Sequence, residues 1–341
     1  MDGSVRYRRS PQLVAYWAAG RLVCVEYEYR VALTLAPDLI PLLDALDDWR
    51  TIDDLARQLD EPREVLEPLV AVLAQARLVR TPDDDGGEVA AAWANWMPSA
   101  AYFHFATRDG VFQGEPDWKD PARFDRPADA PPSFRTYAGP RVSLPASRSD
   151  DGLAGLLEQR RTHRAFGGRP LEVAELAHVL RLTWTASRRG SSGHWFRTSP
   201  SAGARHPIEA YVGVLSVRGL EPGLYHFDSR ESALVLRRPG LDRSDVAHWL
   251  VGQTWFEHAS AVVFMTAVFE RTMWRYPSPR AYRSVFLDAG HLAQTFCLAA
   301  TELDLAPFTT MAFKESRIEH ALGLDGRSES VVYVAGIGPR E

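Results

Sequence analysis

The chain has 341 residues, of which 45% are hydrophobic and 24% charged, so it is long enough for two domains of ordinary globular composition. Its formal net charge of −5 excludes a bulk electrostatic attraction to nucleic acid or to an anionic membrane. Two cysteines, Cys24 and Cys297, are too few and too far apart for a disulfide framework or a metal knuckle. With no signal-peptide or membrane-spanning pattern, the sequence predicts a cytoplasmic protein without a metal site.

Residues 1–82 have the pattern of a winged-helix-like domain. Residues 23–27 and 29–35 alternate like a β-hairpin, and residues 38–46 have helical spacing. Thr51, followed three positions later by Asp54, has the pattern of a capping box that opens a second helix through residue 59. A third amphipathic helix follows Pro62, and residues 78–80 are placed as a returning wing.

The charge of the third predicted helix bears on the role of this domain. Glu61, Glu64 and Glu67 stand against Arg63 there, so a phosphate backbone would be repelled and DNA binding is not expected. Two alternatives stay open for the domain, namely binding of a peptide or partner protein and a purely structural role.

Residues 83–150 are predicted to form a connector rich in aromatic residues and proline. Chain-breaking residues occur at both ends, at Asp83–Gly87 and around Pro127, Pro131, Pro132 and Pro140. The intervening part is too aromatic for a loose linker, because it holds Trp93, Trp96, Tyr102, Phe103 and Phe105. We expect this arm to pack on the catalytic domain or on a second subunit.

Residues 151–341 have the mixed pattern of an α+β domain. Helices are predicted over residues 153–160, 171–184 and 286–303, and strands over residues 210–217, 224–227, 233–236, 261–268 and 331–334. The helix of residues 286–303 is apolar on nearly every face, which predicts burial all round in a core or a subunit interface.

A cationic segment at the start of this domain suggests a binding site. It reads Arg160-Arg161-Thr162-His163-Arg164-Ala165-Phe166. If the preceding helix continues, Arg160 and Arg164 lie one turn apart on one face. Guanidinium groups and a hydroxyl suit a phosphate monoester, whereas the simpler alternative is a solvated basic helix end.

Three further segments carry candidate residues. They are Thr198 to Pro207, with the small-residue turn Pro200-Ser201-Ala202-Gly203; Arg275 to His291; and Thr309 to Phe313. Each has a simpler interpretation when taken alone. Pro200–Gly203 suits an ordinary loop, Tyr276 a packed aromatic ring, Asp288 a helix-end residue or arginine partner, and His291 a core histidine.

In their order along the chain, these segments resemble the nitroreductase-like flavoproteins, and more closely the SagB-type azoline dehydrogenases of thiazole- and oxazole-modified peptides. The matching motifs are Arg160-Arg161-Thr162-x-Arg164-x-Phe166, Pro200-Ser201-Ala202-Gly203-x-x-x-Pro207-x-Glu209, Pro222-Gly223-Leu224-Tyr225-His226-Phe227-Asp228, Tyr282-Arg283-x-x-x-Leu287-Asp288-Ala289-Gly290-His291 and Ala335-Gly336. The resemblance implies an α+β nitroreductase-like FMN-binding domain, with a central mixed or antiparallel sheet flanked by helices, behind a winged-helix-like extension.

The resemblance also implies non-covalent FMN at a homodimer interface. Arg160, Arg161, Thr162 and Arg164 should hold the phosphate and ribityl chain. The turn Pro200, Ser201, Ala202 and Gly203 should lie along the isoalloxazine. The remaining implied cofactor contacts are Thr310, Ala312 and Arg340, the last at the phosphate. A glycine-rich dinucleotide fingerprint is missing from the sequence, which fits a mononucleotide.

The implied reaction removes a proton and a hydride from an azoline ring of a peptide and leaves an aromatic azole. Family members place a Lys-Tyr pair at the base, whereas this chain has Arg275-Tyr276. Arginine keeps its proton, with a pKa above ~12, so Tyr276 is the candidate base and Arg275 would lower its pKa. His194, His206 and His291 are reserve candidates.

The implied partners are an azoline-containing precursor peptide and a YcaO-type cyclodehydratase complex. Two alternatives belong to other classes of function. One is an FMN-dependent reductase of dehydroamino acids or of nitro or quinone compounds, and the other is a flavin-free peptide-docking subunit.

Overall fold

The computed structural model describes residues 5–84, 86–110, 134, 138–143, 152–191, 193–251 and 254–341. Half of the predicted connector, including Pro127, Pro131 and Pro132, lies outside the described residues. The chain divides into two compact units. The first contains Met1–Arg108 and Phe269–Ser284, and the second contains Asp109–Val268 and Val285–Glu341. The predicted boundaries after residues 82 and 150 stay predictions.

The first unit is built on a three-stranded antiparallel sheet with short helices. The strands are β2 (Leu13–Ala18), β3 (Arg21–Glu26) and β4 (Val31–Leu35), in the order β2-β3-β4. The helices are α1 (Ile40–Ala45), α2 (Ile52–Leu59), α3 (Arg63–Gln75), α4 (Gly87–Trp93), α5 (Ser99–Thr107) and α9 (Phe269–Arg275). A two-residue strand β1 (Arg8–Arg9) pairs with β5 (Val79–Arg80), so the predicted wing has the N-terminal segment as its partner.

A local capping signal starts the second of the three helices that follow the sheet, and apolar residues pack all three into one core. Thr51 Oγ1 accepts a hydrogen bond from the Asp54 amide at 3.2 Å, and the Asp54 carboxylate accepts from the Thr51 amide at 3.0 Å. This capping box starts α2, as predicted. Apolar residues of α1, α2 and α3, among them Leu43, Leu55 and Val70, share one buried core with β3. The winged-helix assignment of this unit stays a prediction.

The second unit contains a six-stranded antiparallel sheet in the order β12-β11-β9-β13-β15-β14. Its strands are β9 (Ile208–Val214), β11 (Gly223–Asp228), β12 (Ala233–Pro239), β13 (Ala261–Val268), β14 (Leu305–Thr310) and β15 (Glu329–Pro339). Two-residue strands add the pairs β6 (Leu171–Glu172) with β10 (Val217–Arg218) and β7 (Arg188–Arg189) with β8 (Trp195–Phe196). The predicted α+β class with an antiparallel central sheet is confirmed.

Five helices of the described residues accompany this sheet. They are α6 (Leu153–Gln159), α7 (Val173–Trp184), α8 (Arg243–Trp249), α10 (Tyr282–Glu302) and α11 (Glu315–Leu322). Trp249 of α8 and Ile318 of α11 share a core with Phe264 and Val334 of the central strands β13 and β15. In the part of the chain that the structure describes, no helix has both the length and the apolar character needed to cross a membrane.

The helix predicted over residues 286–303 is present as α10, and within this chain it is buried on one side only, so that its predicted burial at a subunit interface stays a prediction. Leu287 is 61% exposed. Gly290, His291 and Gln294 are exposed as well, and their spacing places them on one side of the helix with Leu287. The opposite side, with Ala289, Leu292 and Phe296, is buried. A stripe along one side of α10 is therefore exposed to solvent in this chain.

Candidate functional site

The cationic segment is an extended run directly after α6. The helix ends at Gln159, and Arg160 has φ −52° and ψ 124°. The expectation that Arg160 and Arg164 lie one turn apart on a continued helix is therefore wrong. The His163 amide donates to the Pro307 carbonyl of β14 at 3.0 Å, and the Gly167 amide donates to the Pro339 carbonyl of β15 at 2.8 Å. Backbone pairing to the sheet thus competes with continuation of the helix and fixes the segment.

The three guanidinium groups of this segment have no carboxylate partner among the described residues. Arg161 donates to the backbone carbonyls of Glu158 and Arg160, at 2.5 and 2.8 Å. The guanidinium carbon of Arg164 lies 5.7 Å from the ring centroid of Trp255. Arg161 and Arg164 are exposed and Arg160 is half-buried. Fixed cations that are not neutralised within the described chain suit an anionic ligand such as a phosphate.

The small-residue turn is tied to α10 by side chains that follow one face of the helix. Thr295 Oγ1 lies 2.6 Å from Ser199 Oγ, and His291 Nδ1 lies 3.3 Å from the Pro200 carbonyl oxygen. Asp288 accepts from the Ser201 hydroxyl at 2.5 Å and from the Ala202 amide at 3.3 Å. Successive turn residues thus meet helix positions spaced by three and four, the spacing of one helix face.

Asp288 is the buried centre of this arrangement. Asp288 lies within α10, away from the ends of the helix, and its side chain is buried. Burial raises the pKa of its carboxyl above the usual value, while the hydrogen bonds from Ser201 and Ala202 oppose that rise. The interpretation of Asp288 as a helix-end residue is wrong, because it lies within α10, and that of His291 as a core histidine is wrong, because His291 is exposed. This anchoring role was not predicted from the sequence. The available signal was the polar series at positions 288, 291 and 295 among the apolar residues of the helix.

The turn itself has the geometry of a close backbone approach. Residues Ala202–Ala204 form a short 3-10 turn in which Gly203 has φ 59°, a left-handed conformation that favours glycine. The Ser201 hydroxyl also accepts from the His206 amide at 2.8 Å, which closes the loop from its other end. The result is a rigid edge of small side chains, of the kind that a planar ring can lie against.

The cationic segment also reaches α10. Burial raises the pKa of the Cys297 thiol to about 11, and the nearby charge of Arg160 opposes that rise. Arg160 is thus near the same helix that anchors the small-residue turn. Guanidinium donors for a phosphate and a rigid small-residue edge for a ring are the donor set that FMN requires, so the residues present fit this cofactor.

The other predicted cofactor contacts lie at the end of β14 and beyond β15. The Thr310 hydroxyl accepts from the Ala312 amide at 3.0 Å, which closes a tight turn after β14. Arg340 forms an ion pair with Asp304. Arg340 also lies near His163, whose pKa is lowered by burial and by that positive charge. This proximity places Arg340 beside the cationic segment.

The predicted catalytic pair lies in the first unit, whereas all the predicted cofactor contacts lie in the second. Arg275 is the last residue of α9, and the guanidinium carbon of Arg275 is 5.6 Å from the ring centroid of Tyr276. The Tyr276 amide donates to the Thr272 carbonyl at 3.0 Å. Arg275 is exposed and Tyr276 is half-buried, so the phenol is partly accessible.

Comparison with known proteins defines the class. Residues 157–339, more than half of the chain, match the model described as the nitroreductase family. The chain therefore belongs to the nitroreductase family. The matched range begins just before the cationic segment and ends in the last strand of the six-stranded sheet.

Individual relatives add detail. MJ1384 of Methanocaldococcus jannaschii is 33% identical over 171 residues, which cover 50% of this chain and 83% of that protein. The trifolitoxin-processing protein TfxB of Rhizobium leguminosarum bv. trifolii is 34% identical over 161 residues, 46% of this chain and 43% of TfxB. The match therefore spans less than half of the length of TfxB. TfxF of the same organism, also a trifolitoxin-processing protein, is 31% identical over 110 residues, 32% of this chain and 34% of TfxF.

One solved structure has a fold similar to a larger part of the chain. A chain of the E. coli microcin synthetase McbBCD complex, with truncated pro-MccB17 bound, matches with a TM-score of 0.53 at 18% identity. The likeness covers 74% of this chain and 97% of that chain. At this level of identity the likeness concerns the fold alone.

Proposed function

We propose that this protein is an FMN-dependent oxidoreductase that converts azoline rings of a ribosomally made peptide to azoles. The observation that carries the proposal is the cationic segment, which has no carboxylate partner in the described chain and whose Arg160 is near α10, the helix that also anchors the small-residue turn. The nitroreductase family is generally one of flavin-dependent oxidoreductases, and the similarity to two trifolitoxin-processing proteins supports a peptide substrate.

The residues of the second unit would bind and orient the cofactor. Arg160, Arg161, Thr162 and Arg164 would hold its phosphate and ribityl chain, with Arg340 beside them. Pro200 to Gly203 would lie along the ring, and Thr310 and Ala312 would close over it. FMN would supply the two-electron oxidation when bound.

Tyr276 would remove the proton from the alpha carbon of the azoline through its phenol oxygen. The guanidinium carbon of Arg275 lies 5.6 Å from the ring centroid of Tyr276, beside the proposed base. The ring loses this proton together with a hydride equivalent, so the product is the aromatic azole, and dioxygen would reoxidise the cofactor.

We further propose that the protein acts as a homodimer and engages a precursor peptide, with a cyclodehydratase complex as partner. The exposed stripe of α10 around Leu287 is the surface available for the second copy. The first unit would bind the peptide or partner.

The test is a reaction with an azoline peptide under dioxygen, without added NAD(P)H. We expect a yellow protein and a mass loss of about 2 Da per ring oxidised. Tyr276→Phe should keep the flavin spectrum but lower kcat by about 100-fold or more, the contribution typical of a general base.

Tyr16→Phe is the matched control, because Tyr16 is an exposed tyrosine of the same unit and should keep full activity. A yellow protein that leaves azolines untouched would reject the azoline reaction and keep the cofactor. A colourless protein that added FMN cannot reconstitute would reject both.

A further inference from the structure

Six buried rings of the first unit form an aromatic cluster around the segment that carries Tyr276. The aromatic cluster consists of Trp93, Trp96, His104, Phe105, Phe269 and Tyr282. Phe269 begins α9 and Tyr282 begins α10, so these two rings flank Tyr276 at both ends of its segment. His104 Nδ1 also lies 2.9 Å from the Tyr282 hydroxyl. Phe269 and Tyr282 are thus packed at the start and at the end of the Tyr276 segment.

Trp96 is the member of the aromatic cluster that also contacts the middle of this segment. Its ring centroid lies 6.3 Å from that of Phe269 and 5.6 Å from that of Tyr282. Its indole Nε1–H donates to the backbone carbonyl of Tyr276 at 3.0 Å. Trp96 is fully buried, so the ring has one fixed position from which to donate.

Among the described residues, the backbone of Tyr276 has three hydrogen bonds, of which the one from Trp96 comes from a distant part of the chain. The Tyr276 amide donates to Thr272, and its carbonyl accepts from the Ser278 amide at 2.8 Å. Both are local turns, which shape the peptide without fixing it to the rest of the unit. The bond from Trp96 spans 180 positions of sequence and ties the turn to α4 and α5.

We infer that Trp96 is a positioning residue that sets the direction of the Tyr276 phenol through the Tyr276 backbone. This inference rests on the proposed role of Tyr276 as the base. Proton transfer needs heavy-atom distances fixed within hydrogen-bond reach, and a misplacement of about 1 Å can cost about 100-fold in rate. A buried donor on the peptide carbonyl next to the phenol is suited to prevent such a shift.

A double-mutant cycle on kcat tests the inference. Trp96→Phe keeps an aromatic ring but removes the donor, and should lower kcat about tenfold while KM is unchanged. In the Tyr276→Phe background the same substitution should have no further effect, because Trp96 acts only through Tyr276. Equal losses in both backgrounds would overturn the inference.

Trp93→Phe is the matched control. Trp93 is equally buried in the aromatic cluster and lies 4.9 Å from Phe269, but the indole on the Tyr276 carbonyl is that of Trp96. Trp93→Phe should reproduce any loss of stability without the loss of kcat. If Trp96→Phe does not fold, replacement of Trp96 by 3-benzothienylalanine keeps the shape of the ring and removes only the N–H.

A second measurement separates this inference from the proposed reaction. With 3-fluorotyrosine at position 276, the fluorine NMR signal should shift or broaden when the Trp96 donor is removed, and should stay sharp in Trp93→Phe. That result would support positioning even if no azoline were oxidised. An unchanged signal would overturn the inference whatever the activity of the enzyme.

Discussion

At the scale of single residues, Asp288 explains how an apolar helix holds a polar turn. A buried carboxylate is costly unless its oxygens accept hydrogen bonds, and here one oxygen accepts from Ser201 and the other from Ala202. The same bonds fix the turn that is proposed to lie along the flavin ring. Asp288 is therefore a positioning residue for the turn, because it is hydrogen-bonded directly to two of the proposed cofactor contacts, Ser201 and Ala202.

Asp288→Asn should weaken flavin binding. An amide offers one acceptor where the carboxylate offers two, so one buried donor of the turn is left without a partner, at a cost of about 1–3 kcal/mol. We expect the dissociation constant of FMN to rise about tenfold, measured by quenching of flavin fluorescence. Asp245→Asn on α8 is the control and should bind normally, and equal affinity in Asp288→Asn would contradict the anchoring role.

The pH dependence of stability gives the same substitution a second readout. Since burial raises the pKa of Asp288, the folded state holds its proton more tightly than the unfolded state. The stability that Asp288 contributes is full below the ordinary aspartate pKa of about 4 and is lost as the pH rises through the raised pKa. Urea unfolding at a series of pH values should show this decline in the native chain and not in Asp288→Asn.

At the scale of elements, glycines decide how β15 packs on its neighbours. Gly336 faces Phe308 of β14, and a Cβ at Gly336 would lie 2.4 Å from the Phe308 ring and 3.1 Å from the Ala261 carbonyl oxygen. Gly338 similarly admits the ring of Phe166, where a Cβ would lie 2.7 Å away. The last strand can thus pair between β13 and β14 because two of its positions have no side chain.

Gly336→Ala should destabilise the second unit by about 1–3 kcal/mol, because a ring and a backbone carbonyl on opposite sides leave little room to move. Gly168→Ala is the control, since nothing lies within 4 Å of its Cβ position, and it should stay within about 0.5 kcal/mol of the native chain. The free energy of unfolding in urea measures both. Equal values for the two variants would show that the neighbours of Gly336 adjust.

At the scale of the whole molecule, the two compact units divide the proposed chemistry. The proposed cofactor contacts belong to the second unit, and Arg275 and Tyr276 belong to the first. In the described part of the predicted connector, Trp93, Trp96 and Phe105 are buried in the first unit, in a cluster with Phe269 and Tyr282. Phe103 of the same predicted arm is 55% exposed, and packing of the arm on the catalytic domain or on a second subunit stays a prediction.

The proposed homodimer makes a prediction at this scale. The chain should sediment at twice 38.1 kDa, and Leu287→Arg, which places a charge on the exposed stripe of α10, should sediment at the single mass. Val235→Arg changes another exposed apolar residue, on β12, and should leave the dimer intact. A dimer that persists in Leu287→Arg would exclude this face of α10 as the interface.

The local sequence pattern was enough to predict several elements of secondary structure. The strand predicted over residues 261–268 is β13, with the same bounds, since a continuous apolar run of that length is typical of a buried strand. The capping box of Thr51 and Asp54 forms as predicted, because it involves residues three positions apart. The order of the motifs pointed to the nitroreductase family, to which the chain belongs. The residues assigned to the cofactor and to catalysis stay predictions.

The tertiary structure decided what depends on residues far apart in sequence. β14 was not predicted, and β15 was predicted only over residues 331–334, since its glycines lower strand propensity until Phe308 and Phe166 fill the space beside them. The extended course of Arg160 to Arg164 was hidden because it depends on backbone bonds to β14 and β15. The anchoring of the turn by Asp288 and the donation from Trp96 to Tyr276 join positions 87 and 180 residues apart, whereas sequence periodicity reports only on near neighbours.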